Sequence, residues 1–310
     1  MRIWRSSLIV AALLATTVAA VPASASPLLT QPRCSDVSTT VSTFTMGTLP
    51  VAGWRENLDF DGHGTVWVSR LLNNEVEGLG PDGEVRVRVS VPGPSGIRRG
   101  PDGLMYVNFG SSVGSTTAGI MRFDPSAAQP VATPFTTGLA GPNGLAVDGQ
   151  GNFYVTGLTA SNIVKIRPDG SQDTAWTAAA NVFSSNGAEV ADGTLYVSVL
   201  ADLGSPIVRV PLDDPGAHSV VSTLSPFPYL PKGLDDLTVL PGNKLVVAAF
   251  ATGELVRVDR NTGAACLLVQ GLVSPTSVRI PDGFGGTGPS HELFVTETTG
   301  RILKVTITPK

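Results

Sequence analysis

A chain of 310 residues with 35 Gly, 24 Pro, 15% charged residues and a net charge of −4 carries too many turn formers for a helical bundle. It also lacks the basic clusters that nucleic acid or an anionic membrane surface would require. The length suffices for a sizeable core, and the composition favours short strands separated by turns, an all-β chain.

The first element in chain order is not part of the fold. "MRIWR" is a basic n-region, "SLIVAALLATTVAAV" an apolar h-region, and Ala23-Ser24-Ala25 a small-residue cleavage signal. The reading is a signal peptide over 1–25, cut after Ala25, and a secreted, extracellular protein. Losing Arg2 and Arg5 leaves 19 basic against 25 acidic residues, a mature charge of −6. Residues 26–310 are expected to form a single domain. Next comes "VSTTVSTFT" (Val37 to Thr45), alternating and β-branched, a strand without an obvious local partner.

Six related units follow. Their best-formed copy is "GPNGLAVDGQGNFYVTG" (Gly141 to Gly157): a polar residue, a small residue, an apolar run, a glycine turn and a second apolar run. The position held by Asn143 is held in the other units by Glu56, Ser95, Asn186, Asp235 and Thr276. The spacings from Glu56 onward are 39, 48, 43, 49 and 41 residues. A period in the forties with about four strands per unit indicates a six-bladed β-propeller. Asp82, Asp102, Asp169, Asp192 and Asp282 lie in Asp-Gly pairs between strands, where hairpins need them, and read as turn residues. The sixth unit ends at "RILKVTI" without a fourth strand. Val37 to Thr45 can supply that strand and close the ring. The closing strand then lies beside the fifth unit, whose outer strand holds Cys266. A Cys34–Cys266 disulfide is expected, since these are the two cysteines of a chain with an export signal.

In a propeller the residue just before each innermost strand sits at one mouth of the central channel. The six slots therefore form a ring of Glu, Ser, Asn, Asn, Asp and Thr. Two carboxylates and two amides from four blades suit a hard divalent cation such as calcium, which takes six to eight oxygens. Without a metal, two carboxylates confined there would repel each other. Three residues beyond the slots, Asp59, Arg98, Ala146, Glu189, Thr238 and Arg279 form a second ring, read as an ion-paired channel lining. Phe183, Phe227 and Tyr229, in the loops leading into blades four and five, are candidates for an apolar, substrate-binding rim. Phe109, Arg70 and Glu297 end second strands on the same face. Asp236 either supports Asp235 or faces solvent.

The repeat text and the Glu…Asn…Asn…Asp order resemble the six-bladed calcium-dependent propeller hydrolases: the regucalcin/gluconolactonase (SMP-30-like) family, the paraoxonases and diisopropyl fluorophosphatase. The resemblance spans about residues 37 to 310, and "PNGLAVDGQGNFYV" carries it best. It implies that Glu56, Asn143, Asn186 and Asp235 bind a catalytic calcium. It also implies hydrolysis of a lactone, ester or phosphotriester. Calcium acidifies water only modestly, so a carboxylate is needed beside it, and Asp235 is the expected general base or nucleophile. Asn57 and Gly144 stand where paraoxonases carry acids for a second calcium, so one metal is expected. His63, His218 and His291 fall at turns on the opposite face. Their placement speaks against a histidine-assisted mechanism and against the virginiamycin B lyase type of propeller. A non-catalytic binding propeller with a structural metal, and a strictosidine-synthase-like enzyme, stay open as alternatives. The expected partner is a small molecule bound by a monomer, without nucleic acid or membrane.

Overall fold

The computed structural model describes residues 31–47, 51–225, 230–284 and 291–310. The signal peptide of the sequence reading, Phe227 and Tyr229 lie outside them. Strand β1 (Val37–Thr45) precedes six antiparallel sheets. Blade one holds β2 (Asn57–Phe60), β3 (Val66–Arg70), β4 (Glu75–Leu79) and β5 (Val85–Ser90). Blade two holds β6 (Ile97–Arg99), β7 (Met105–Phe109), β8 (Gly119–Phe123) and β9 (Thr133–Thr137). Blade three holds β10 (Leu145–Val147), β11 (Phe153–Val155) and β12 (Val164–Ile166). Blade four holds β13 (Ser185–Ala191), β14 (Thr194–Val199), β15 (Pro206–Pro211) and β16 (Ser219–Thr223). Blade five holds β17 (Leu234–Leu240), β18 (Lys244–Ala249), β19 (Glu254–Asp259) and β20 (Ala265–Gln270). Blade six holds β21 (Pro275–Arg279), β22 (Glu292–Glu297) and β23 (Ile302–Pro309), with β1 as its outer strand.

The fold is the six-bladed β-propeller expected from the repeats. The closure is as expected too: β1 runs antiparallel to β23, from Val37 opposite Pro309 to Thr45 opposite Ile302. Cys34 is bonded to Cys266, with their Cα atoms 5.0 Å apart. The segment from Cys34 to Thr45 is thereby tied to blade five as well as to blade six.

Blade three departs from the four-strand unit. Its fourth strand is replaced by a short helix, α1 (Thr174–Ala179). The sequence explains the change. Asp173 caps the helix by accepting from the Trp176 N–H at 3.2 Å, and three of the six helix residues are Ala, which favours helix. Trp176 is buried and donates its indole N–H to the Leu212 carbonyl at 2.8 Å, so the helix still seals the blade's outer edge.

Apolar residues alternate along each strand and pack between neighbouring blades. Six core clusters result, one at each blade–blade junction. Between blades five and six, for example, Val246, Leu255, Val278 and Val295 meet, and Cys34 joins them. Phe109 belongs to the core between blades one and two, which removes it from the channel mouth.

Each slot is a β-bulge. In blades four and five the register slips so that Asn186 and Gly187, and Asp235 and Asp236, each oppose one residue of the second strand. In blade three Asn143 donates to the Thr156 carbonyl while Thr156 donates back to Gly144, the same two-against-one arrangement. A bulge breaks the strict alternation of side chains. Both residues of the pair can then turn toward the channel. This is why slot chemistry comes in adjacent pairs.

Candidate metal centre

The slot backbone is locked from blade to blade by short polar side chains. Asn108 donates its amide to the Asn143 carbonyl at 3.0 Å, Thr156 its hydroxyl to the Asn186 carbonyl, and Ser198 its hydroxyl to the Asp235 carbonyl. Two slot residues are used the same way. Ser95 donates to the Asn143 carbonyl at 2.8 Å and Thr276 to the Arg55 carbonyl at 2.6 Å. Their hydroxyls thus hold neighbouring backbone. Glu56, Asn143, Asn186 and Asp235 remain, the four expected from their chemistry.

These four come together. Glu56, Asn186 and Asp235 are buried and Asn143 is half-buried. Burial pushes the Glu56 carboxyl up to about 7, opposed by hydrogen bonds from Trp54 and Asn143, while the nearby Asp236 charge raises it further. Burial likewise raises Asp235 well above the carboxylate range. The Glu56 and Asp236 charges add to that, and Asn186 hydrogen-bonds its side chain. A buried Glu56 that raises Asp235, with an amide hydrogen-bonded to each carboxyl, defines one polar cluster.

Whether this cluster suits a cation can be tested on its donors. The Asn186 Oδ1 is buried and has no hydrogen-bond partner, an uncommon and costly state for a native side chain. All four side chains offer oxygen, and the two carboxylates match a divalent charge. Among the described residues no three or more His, Cys, Asp or Glu side chains are grouped to hold a metal, so the set reaches four donors through its amides. The set fits a hard, oxygen-seeking ion and offers no nitrogen or sulfur donor to a softer one.

One feature of the mouth is not apparent from the slot pattern. Trp54, two residues before Glu56, donates its indole N–H to Glu56 Oε2 at 2.5 Å and stacks on Phe250 with ring centroids 6.2 Å apart. This pair joins blade one to blade five as an aromatic wall beside the cluster; a lone Trp in a loop leading to a slot was its sequence signal. Phe183 is 61% exposed, as a rim residue would be. Arg70 and Glu297 are internal supports: Arg70 binds Glu75 and Glu77, while Glu297 accepts from Val273, Thr299 and Arg301.

For Asp236 the sequence leaves two readings open, support of Asp235 or exposure to solvent. The residue does not face solvent: its side chain is 1% exposed. It accepts from Ser277 at 2.7 Å, Asn57 at 3.1 Å, Arg98 at 3.2 Å and Arg279 at 3.4 Å. The second ring is ion-paired as expected, but largely around Asp236. Asp59 accepts from the Arg99 backbone N–H at 2.9 Å. Arg279 also pairs with Glu189. All six ring residues line a cavity of about 200 Å³. It shares Asp59, Arg99 and Val147 with a cavity of about 500 Å³ toward the opposite mouth. His63, His218 and His291 lie at or beside the turns of that opposite end.

No family model and no curated protein matches the sequence. Solved structures do resemble it. A gluconolactonase from Xanthomonas campestris is 18% identical, with a TM-score of 0.65 over 90% of this chain and 97% of that one. Virginiamycin B lyase from Staphylococcus aureus is 12% identical, with a TM-score of 0.58 over 87% and 99%. An auxiliary nutrient binding protein from Bacteroides thetaiotaomicron is 11% identical, with a TM-score of 0.65 over 88% and 77%. A lactonase, a lyase and a binding protein share this architecture, so the fold is common ground and the function must be argued from the site.

Proposed function

We propose that Glu56, Asn143, Asn186 and Asp235 hold one calcium ion and that the protein is a lactonase-type hydrolase of a lactone, ester or phosphotriester. The observation that carries this reading is the buried, unpartnered Asn186 Oδ1 beside two carboxyls that repel each other. The gluconolactonase among the structural neighbours supports the lactonase class.

Bound there, calcium would supply Lewis-acid polarisation of the carbonyl or phosphoryl oxygen. Glu56 and the two amides keep their oxygens turned to the mouth because their backbones are locked across blades. Asp235 takes the proton of the attacking water, since no histidine of the described residues lies at this mouth and a carboxylate must do that work. The Trp54–Phe250 wall and Phe183 bound the space beside Asp235 and exclude water from the substrate's apolar part. In this reading the chain is exported on residues 1–25 and works outside the cell as a monomer, a setting in which Cys34–Cys266 persists.

The test is a panel of γ- and δ-lactones, aryl esters and phosphotriesters, each with calcium and with chelator. Turnover of at least one class, abolished by chelator and restored by calcium, is expected. No turnover of any class would overturn the hydrolase reading and leave a metal-bearing binding propeller.

A further inference from the structure

The residue after each slot also follows a pattern. In blades two, three and four it is glycine: Gly96, Gly144 and Gly187. Space requires it. A Cβ on Gly144 would lie 2.1 Å from the Asn186 carbonyl oxygen, and one on Gly187 would lie 2.3 Å from the Asp236 Cα. In blades five, six and one the same position holds Asp236, Ser277 and Asn57. These three side chains bond to one another, with Asp236 as the common acceptor.

Two guanidinium groups complete the cluster. Arg98 leaves blade two and reaches Asp236 on blade five, the diametrically opposite blade of six. On the way it donates to Asn57 Oδ1 at 2.9 Å and to the Ala188 carbonyl at 3.3 Å. Arg279 adds a contact from blade six. Blade three contributes only the small Ala146 at this level, which leaves room for the crossing. Asp236 thus receives four donors, and both ends of the Asn57 amide are used. Each side-chain oxygen of the two residues already accepts at least one hydrogen bond.

We propose that Asp236, Arg98 and Arg279 form a fixed ionic lock across the channel and that Asp236 is a positioning residue for Asp235. The second part rests on the role given to Asp235 above. Asp235 and Asp236 occupy one bulge, so pinning the second side chain from three other blades fixes where the first one points. The two arginines also act as a built-in counter-charge. They neutralise Asp236 and Glu189 from within. The lock separates the two mouths as well: the cavities on its far side include none of the four slot residues.

The test uses Asp236→Asn, Arg98→Met and the double variant. In chelator, each single change strands a buried charge and lowers Tm by roughly 6–20 °C, and the double change lowers it by less than the sum. With calcium, Asp236→Asn weakens metal affinity roughly tenfold by removing a nearby negative charge. The double variant regains wild-type affinity because its charge is balanced. At saturating calcium the double variant still turns over about 10–100-fold more slowly than wild type with KM little changed, because Asp235 is no longer held. Additive Tm losses would overturn the lock. Wild-type kcat in the metal-saturated double variant would overturn the positioning role. A wild type that hydrolyses nothing would remove the hydrolase reading alone, and the Tm and calcium-affinity arms would still decide on the lock.

Discussion

The two ends of this channel are built from the same repeated unit yet differ in kind. At the slot end, Asp202 is the exposed charged residue of the described connections between strands. Arg55, Arg70, Lys232, Glu254 and Glu297 also lie there but are folded into internal pairs. Of the eleven large apolar side chains exposed among the described residues, eight are at this end, including Val51, Leu72, Val113, Phe183, Leu203 and Leu230. The opposite end is acidic, with Asp82, Asp102, Asp124, Asp169, Asp192 and Asp214 exposed on its turns. Those aspartates mostly accept from the backbone two residues on, as Asp82 does from Glu84 and Asp169 from Ser171. The lesson is that acid count does not locate a site. At the acidic end most of these carboxylates serve their own turns. At the apolar end two carboxyls are taken out of water and face each other, which is useful only if something compensates them.

The largest effect should separate the two ends directly. Asp235→Asn is expected to lower kcat on the order of 10²–10⁴-fold at saturating calcium, since the amide keeps an oxygen and the shape but cannot take a proton. Asp102→Asn, on an opposite-end turn, should leave kcat within about twofold, consistent with surface changes away from a site. Steady-state kinetics on whichever substrate the panel yields checks both. Comparable losses in the two variants would erase the distinction between the ends.

A second effect is global. Replacing Cys34 and Cys266 by alanine should cost roughly 3–5 kcal/mol, because the bond closes a loop with a sequence separation of 232 residues. Denaturant unfolding measures it. A loss below about 1 kcal/mol would show that pairing of β1 with β23 already closes the ring without help.

A third concerns pH and has the opposite sign to an ordinary salt-bridged acid. Glu56 rises from 4.5 to about 7 on folding, and Asp235 rises as well. A raised carboxyl means that the folded state binds the extra proton. Its stabilising share is therefore complete below the unfolded pKa and is lost as pH climbs toward the folded one. In chelator, stability should fall between about pH 4.5 and 7, and calcium should remove that fall. Thermal melts across this window check it. A chelated protein that gains stability over the same range would show that the two carboxyls are not the buried, uncompensated pair described.

The smallest effect is local to the rim. Phe183→Ala should raise KM about two- to tenfold with kcat unchanged, the signature of lost uniform binding. A lower kcat instead would bring Phe183 into the chemistry.

Much of this was legible in the sequence because the repeat fixes what each position does. The polar slot before an apolar run could be aligned across six units, and the missing outer strand of the last unit pointed to Val37 to Thr45. Asp82 and its counterparts could be set aside as turn residues. What could not be read came from register and from long side chains. The bulge at each slot turns the following residue inward, so Asp236 faces the axis when simple alternation would turn it away. Arg98 crosses the channel to a blade far away in sequence. Phe109 looks like a mouth residue by position but packs between blades. In blade three, Asp173 and a run of alanines override the strand expected from the period.

Four side chains from blades one, three, four and five can meet a calcium ion only in the folded ring. The most direct measurement is the melting temperature of the wild-type protein, in chelator and in millimolar calcium, beside that of Asp235→Asn. The expected result is a rise for the wild type that grows with calcium concentration, as for a ligand bound by the native state alone, and a smaller rise for the variant. A wild-type melting temperature that is the same with chelator and with calcium would contradict it.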